Sequence, residues 1–311
     1  GDDAEETRLM RSLLFVPADS ERKLEKGFAS PADVVIVDLE DSVALANKQA
    51  ARRIAADFIA AHRQGTRAAI YVRVNDLTTG LTDDDLAALV PTRPDGIMLP
   101  KAGGGQDVQR LSTKLRVHEA EAGLPDGATK ILPIITETAA AVFTASTYTG
   151  ASERLCGLTW GAEDLSAAIG ARTARDGSGR YTDVFRLARA VTLLAASAAD
   201  IAAVDTVFPN FRDSAGFAAE CADAERDGFT AKMAIHPDQV SVINAAFTPS
   251  REAIEHSVAV VAAFAAAGNP GVVALGGKMV DRPHLRLAER LLARAKAAGV
   301  YAPDESAHGP A

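Results

Sequence analysis

Ser12-Leu-Leu-Phe-Val16 and Val34-Val-Ile-Val-Asp38 are short, unbroken apolar runs rich in β-branched residues. Neither alternates between apolar and polar, so each suits a strand buried on both faces, as a parallel sheet requires. Six more runs follow: Ala69-Ile-Tyr-Val-Arg73, Gly96-Ile-Met-Leu-Pro100, Ile131-Leu-Pro-Ile-Ile135, Arg154-Leu-Cys-Gly-Leu158, Ala202-Ala-Val-Asp-Thr206 and Lys232-Met-Ala-Ile-His236. Longer stretches with helical patterning lie between them, among them Ser42 to Ala61, Asp183 to Ala199 and Ser214 to Asp227. Eight strand-helix units within about 250 residues predict an α/β fold of the TIM (β/α)8 type, its last strand ending near His236. An open doubly wound sheet is the alternative. Against it, the turn after the first run reads Val16-Pro17-Ala18-Asp19 and carries no GxGxxG. The glycine triplet Gly103-Gly104-Gly105 is weak evidence for phosphate binding and reads better as a flexible loop.

Beyond Pro249 the pattern changes to a helix from Arg251 to Ala267, a Gly268-Asn269-Pro270 turn, and two short runs, Val272 to Leu275 and Lys278 to Val280. Gly276-Gly277 between those runs is a hairpin signal, and Asp281-Arg282-Pro283 opens a last helix reaching about Ala298. The expected division is therefore a catalytic barrel over residues 1–248 and an extension over 249–311. A barrel does not need that extension, so it either covers one barrel end or reaches a neighbouring subunit.

Composition bounds the function. The 311 residues carry 33 Lys+Arg against 41 Asp+Glu, a formal charge of −8, which argues against nucleic acid as a partner. With 48% hydrophobic and 24% charged residues the chain is globular in type, and folding removes on the order of 35,000 Å² from water, enough for one large barrel. Cys156 and Cys221 have neither CxxC spacing nor neighbouring histidines, so they read as reduced thiols. No apolar window is long enough for a membrane span, and no signal sequence precedes the first run, so a cytoplasmic location is expected. Gly1 reads as an expression scar, Asp2 to Glu6 as a frayed start and Pro303 to Ala311 as a polar tail.

In a barrel of this kind chemistry belongs at the C-terminal strand ends. There the sequence places Asp38, Glu40 and Asp41 after the second run, Arg73 with Asn75-Asp76 at the third, Pro100-Lys101 at the fourth, Thr136-Glu137 at the fifth, and Glu163-Asp164 after the sixth. One acid after a strand is ordinarily a helix-capping residue that contributes about 1 kcal/mol. Four acids and an arginine at one mouth repel unless a cation or a matched substrate neutralises them. Carboxylates without histidine or cysteine favour a hard ion such as Mg²⁺, which takes one or two protein carboxylates and leaves positions for water and a 2-oxo acid. Glu137 and Asp164 are the best pair. Glu163 competes for the second place but reads as a first-turn helix residue.

Ser12-Leu-Leu-Phe-Val-Pro17, Val37-Asp-Leu-Glu-Asp-Ser-Val-Ala44, Val72-Arg-Val-Asn75, Leu99-Pro-Lys101, Ile135-Thr-Glu-Thr138, Gly161-Ala-Glu-Asp-Leu165, Ala234-Ile-His-Pro237 and Gly277-Lys-Met-Val-Asp-Arg-Pro-His284 stand in this order along the chain. Together they resemble the citrate lyase β-subunit-like CoA-ester lyases of the HpcH/HpaI aldolase superfamily, from about Arg11 to the last helix. The resemblance implies a TIM-type barrel, Mg²⁺, and reversible cleavage of a 3-hydroxyacyl-CoA (malyl-CoA, citramalyl-CoA or a citryl thioester) into an acyl-CoA and a 2-oxo acid. It also implies Glu137 and Asp164 as metal ligands, and Arg73 as the contact to substrate and enolate oxygen. Glu137, Gly161 and Ala162 would line the substrate beside Arg73, with Asp38, Glu40 and Asp41 holding metal waters. Asp281 would complete the active site of an adjacent subunit in a homotrimer or hexamer. Without the resemblance, Asp281-Arg-Pro reads as a helix start with Asp281 as its cap.

Arg11, Arg22, Lys23 and Lys26 are equally readable as contacts to CoA phosphates or as a solvated face. A CoA-independent class II pyruvate aldolase, a malyl-CoA thioesterase and a non-catalytic keto-acid-binding subunit remain alternative functions.

Overall fold

The computed structural model describes residues 9–303; the expectations for Gly1, Asp2 to Glu6 and the tail beyond Pro303 lie outside them. Eight strands alternate with helices: β1 (Ser12–Pro17), α1 (Glu21–Ala29), β2 (Val34–Asp38), α2 (Lys48–His62), β3 (Ala69–Arg73), α3 (Thr82–Leu89), β4 (Gly96–Leu99), α4 (Gly105–Glu121), β5 (Lys130–Pro133), α5 (Ala139–Phe143), β6 (Gly157–Thr159), α6 (Glu163–Ile169), α7 (Asp183–Ala199), β7 (Ala202–Asp205), α8 (Ser214–Asp227), β8 (Ala231–Ala234) and α9 (Pro237–Phe247). The strands form one parallel sheet in the order β5-β4-β3-β2-β1-β8-β7-β6. Its two ends meet through isolated parallel bridges, Ile131 to Leu155 and Ile134 to Thr159, so the sheet closes into a (β/α)8 barrel.

The continuous apolar runs explain this closure. Leu13, Val34, Ile36, Tyr71, Met98, Leu132, Ile134, Val204, Ala231 and Met233 pack together inside the barrel. The alternate positions Val35 and Val37 are buried as well. At about 1.5–3 kcal/mol for each large side chain removed from water, a strand apolar on both faces is stabilised only between a filled interior and a layer of helices.

Three boundaries differ from the sequence reading for identifiable reasons. The helical pattern after β2 begins at Lys48 rather than Ser42, because the amides of Glu40 and Ser42 donate to Asp38 at 2.9 and 3.1 Å and hold that stretch in a turn. The sixth strand begins at Gly157 rather than Arg154, and the eighth ends at Ala234 rather than His236, where the Ile235 amide turns to Gln239 Oε1 at 2.9 Å. The glycine triplet is no loose loop: α4 starts at Gly105, and the amides of Gly103 and Gly105 donate at 2.8 Å to Asp107 and Thr147.

Arg154, whose carbonyl accepts the Ile131 amide at 2.8 Å, sends its side chain into a buried ion pair. Its Nη1 donates to Glu119 Oε2 at 2.9 Å and to Thr129 O at 3.1 Å, and its Nη2 donates to Asp126 at 2.7 Å. Glu119 also accepts the amides of Gly127 and Thr129, so one carboxylate and one guanidinium staple the loop into β5 to the start of β6. Arg11 is likewise taken up at the N-terminal end of β1, where Nε and Nη2 reach Asp33 at 2.8 and 3.0 Å. Arg22, Lys23 and Lys26 lie on the exposed side of α1.

The chain divides into two compact units, Met10–Asn244 and a second built from Ala245 onward. In the second, α10 (Arg251–Ala266), β9 (Val272–Leu275), β10 (Lys278–Asp281) and α11 (Arg282–Ala297) surround a core of Val260, Phe264, Val273, Val280, Leu285 and Ala288. β9 and β10 form the expected hairpin, and Gly276 and Gly277 both have positive φ (56° and 77°), as a two-residue turn matched to strand twist demands. No described helix is long and apolar enough to cross a membrane, and Cys156 and Cys221 are free.

Burial raises the Glu119 carboxyl, but Arg154 and the two amides outweigh it and hold it below its ordinary value of 4.5. A depressed carboxylate stabilises the fold above its unfolded pKa and loses that contribution as pH falls through the folded value. Arg154→Met should cost about 3–5 kcal/mol in urea denaturation at pH 7, as expected for an orphaned buried charge. The gap to the native chain should shrink on acidification below pH 4.5; a pH-independent gap would assign the staple to packing.

Candidate active site

Asp38 and Arg73 are the last residues of β2 and β3, and the sheet register sets them side by side. Arg73 Nε and Nη2 donate to the two oxygens of Asp38 at 2.8 and 2.7 Å, a bidentate pair that only guanidinium can make. Burial would raise the Asp38 carboxyl, yet the arginine, the Ser42 side chain and the Glu40 amide hold it below its ordinary value. Arg73 Nη1 lies 3.3 Å from Glu40 Oε1, and the guanidinium covers the Phe15 ring at 4.7 Å. Asp38 is thus occupied by protein donors and fixes Arg73, a different arrangement from a carboxylate free to hold water.

Lys101 follows β4 with a left-handed backbone (φ 52°), uncommon for a residue with a side chain. That conformation lets one residue serve two acids: its amide donates to Glu137 Oε2 and its ammonium to Glu40 Oε2. Burial alone would lower the ammonium pKa, but Glu40, Glu137 and Asp41 together hold it raised. Glu40 is buried, and that burial raises its carboxyl despite Arg73 and Lys101; its Oε1 makes no hydrogen bond beyond the ion-pair contact with Arg73.

Glu137 follows β5 and is 4% exposed; Asp164 stands in the first turn of α6. Their carboxyls lie within hydrogen-bonding reach, and burial followed by the Asp164 contact pushes Glu137 up to about 8. Thr136 and Gly161 lock the two loops together, Thr136 Oγ1 donating to Gly161 O and accepting from Gly161 N, both at 3.1 Å. A Cβ on Gly161 would reach 3.8 Å from Glu137 Cγ, so glycine leaves open the space beside that carboxyl. Ala162 is buried behind it, and Glu163 is exposed, consistent with a first-turn helix residue.

A cavity of about 410 Å³ opens on the same strand ends, lined by Phe15, Pro17, Asp38, Asp41, Arg73 and Ile235 among others. Asp41 is exposed there, its nearest cation Lys101 at 4.0 Å. Asp281 is in the second unit, where it caps α11: its Oδ1 accepts the His284 amide at 3.4 Å, and the His284 ring reaches back. The structure therefore brings Asp38, Glu40, Asp41, Arg73, Glu137, Gly161, Ala162 and Asp164 to one mouth and leaves Asp281 on a separate unit. Lys101 and Thr136 were given no role from sequence. The only cue was their place in Leu99-Pro-Lys101 and Ile135-Thr-Glu-Thr138, immediately after strands.

The donor set fits a hard divalent cation. A cation relieves the repulsion of two carboxyls that face one another, and burial with the Asp164 contact raises Glu137 beside Gly161. Among the described residues no group of three or more His, Cys, Asp or Glu forms a closed ligand set, so water and substrate would supply the other positions, as suits Mg²⁺.

A closed parallel barrel with polar and charged side chains gathered at its C-terminal strand ends is a (β/α)8 scaffold with its candidate site on the usual face. The family model of HpcH/HpaI aldolase/citrate lyase matches residues 11–237. The chain belongs to that family and is citrate lyase β-like. It is 36% identical to the citrate lyase subunit beta of Escherichia coli (strain K12), over 94% of this chain and 96% of that one. It is 34% identical to the (3S)-malyl-CoA thioesterase of Cereibacter sphaeroides (strain KD131), over 96% of this chain and 99% of that one. Among solved structures, the Mycobacterium tuberculosis protein CitE in complex with magnesium, acetoacetate and coenzyme A superposes with a TM-score of 0.72 at 35% identity, covering 94% of this chain and 99% of that chain.

Replacing Glu137 by Gln and Asp164 by Asn should abolish Mn²⁺ binding measured by electron paramagnetic resonance while leaving the thermal melt cooperative. Undiminished binding in the double variant would move the cation elsewhere.

Proposed function

We propose that the chain is a Mg²⁺-dependent carbon-carbon lyase that reversibly cleaves a 3-hydroxyacyl-CoA of the malyl-CoA, citramalyl-CoA or citryl thioester kind into an acyl-CoA and a 2-oxo acid. The observation that carries this reading is the Glu137–Asp164 pair, open beside Gly161 and close in sequence to the Thr136–Gly161 lock. The magnesium, acetoacetate and coenzyme A named for the M. tuberculosis protein support it.

Glu137 and Asp164 would hold Mg²⁺, which would supply Lewis acidity toward the substrate's carboxylate and hydroxyl oxygens. Asp41, exposed at the cavity, takes the hydroxyl proton as the carbon-carbon bond breaks and its electron pair passes to the acyl-CoA enolate. Arg73, held by Asp38 through Nε and Nη2 and with Nη1 3.3 Å from Glu40 Oε1, meets the enolate oxygen with the second N–H of Nη1. Glu40 anchors Lys101, whose amide in turn orients Glu137. Gly161 and Ala162 shape the keto-acid side of the pocket. Asp281 of a neighbouring subunit protonates the enolate carbon, within a homotrimer or hexamer. In the free extension His284 holds Asp281 below its ordinary value, which suits proton removal in the condensation direction; burial against a neighbour would raise it for donation.

A malyl-CoA thioesterase is the second reading, favoured by the exposed Asp41 carboxylate, which could activate water, and by the C. sphaeroides relative. Both readings are separated by chromatography of products from malyl-CoA and citramalyl-CoA with and without Mg²⁺. Lysis gives acyl-CoA with glyoxylate or pyruvate, and none in EDTA. Free CoA with intact hydroxy acid establishes the thioesterase, and no Mg²⁺-dependent product at all contradicts both.

Asp281→Asn should retain keto-acid binding and lose about 10²- to 10³-fold in cleavage rate. Mixing it with Glu137→Gln subunits should restore measurable activity, because some sites then combine an intact Glu137 with an intact neighbouring Asp281. Full-speed cleavage by Asp281→Asn alone would leave this residue as a helix cap only.

A further inference from the structure

Lys232 is a fully buried lysine in a strand whose other residues are apolar. It points out of the barrel interior, where its ammonium donates to Asp205 Oδ2 at 2.8 Å, Glu220 Oε2 at 2.9 Å and Thr206 O at 2.7 Å, using all three protons. From there two chains of contacts run to the β6 loop. In one, the other oxygen of Asp205 accepts the indole N–H of Trp160 at 2.9 Å. In the second, the other oxygen of Glu220 accepts Arg175 Nη2 at 2.9 Å, Arg175 covers the Tyr181 ring at 3.8 Å, and Tyr181 meets Trp160 edge-on at 5.1 Å. The circuit closes on Trp160, the residue before Gly161.

An apolar cluster of the same volume would hold these elements at least as firmly, because ions buried from water gain little net energy from pairing. What hydrogen bonds between ions add is direction. Trp160 leads into the Thr136–Gly161 lock and then Asp164, so the orientation of the indole sets where the Asp164 turn leaves the barrel.

We infer that Lys232 is a positioning residue which, through Asp205 and Trp160, holds the turn that brings Asp164 to Glu137. The inference rests on the metal reading of that pair. Trp160 is the only tryptophan in the chain, so its emission reports the state of this turn directly, with or without metal.

The test uses Asp205→Asn, which cannot accept from both Lys232 and Trp160. It should alter Trp160 emission in the metal-free protein and weaken Mn²⁺ binding about 10- to 100-fold, as does loss of an outer partner of a metal ligand. KM for the thioester, measured at saturating metal, should be unchanged. Should Asp205→Asn fail to fold, Trp160→Phe leaves the ions of Lys232, Asp205 and Glu220 in place and deletes only the donor; it should weaken Mn²⁺ binding in the same direction. A folded variant that binds Mn²⁺ as tightly as the native chain overturns the inference alone. If the native chain binds no Mn²⁺, the metal reading falls and the inference with it.

Discussion

Like charge at the barrel mouth is the constraint on which the rest depends. The carboxyls Asp38, Glu40, Asp41, Glu137 and Asp164 share the strand ends with the cations Arg73 and Lys101. The cations are not spread evenly. Arg73 is fixed by the β2–β3 register against Asp38, and Lys101 is bent by its left-handed backbone toward Glu40. Compensation therefore collects on the β2–β4 side, leaving Glu137 and Asp164 on the β5–β6 side to face one another. A shared proton or a divalent cation satisfies that pair, and the gap at Gly161 adjoins it.

The two barrel faces are organised for different ends. Arg11 with Asp33 and Arg154 with Glu119 tie loops to strand starts, an arrangement concerned with stability. At the opposite face the ion pairs leave an exposed carboxylate, Asp41, and a cavity partly walled by apolar Phe15, Pro17 and Ile235. That contrast matches the general division of labour in (β/α)8 proteins.

Most of the barrel was legible because its signal is local. β2 and β3 match their runs residue for residue, since burial on both faces keeps each run apolar up to the charged residue, Asp38 or Arg73, that ends it. The start of β6 was not legible, because residues 154–156 pair with β5 only through an isolated bridge while the Arg154 side chain is committed to Glu119, a partner 35 residues away. The acids of the mouth and the Glu137–Asp164 pairing followed from strand order alone. What Asp38 does depends on which oxygen meets which donor across two strands, and the sequence therefore suggested water-holding where the structure has an arginine clamp. Lys101 and Lys232 were missed for related reasons: one acts through an unusual backbone angle, the other through three acceptors on separate elements.

The most direct measurement is an anomalous difference map from crystals grown with Mn²⁺. The account predicts one peak about 2.0–2.2 Å from a carboxylate oxygen of Glu137 and of Asp164, with water completing the shell. A map in which those carboxyls remain hydrogen-bonded to each other while the ion sits elsewhere, or binds nowhere, contradicts it.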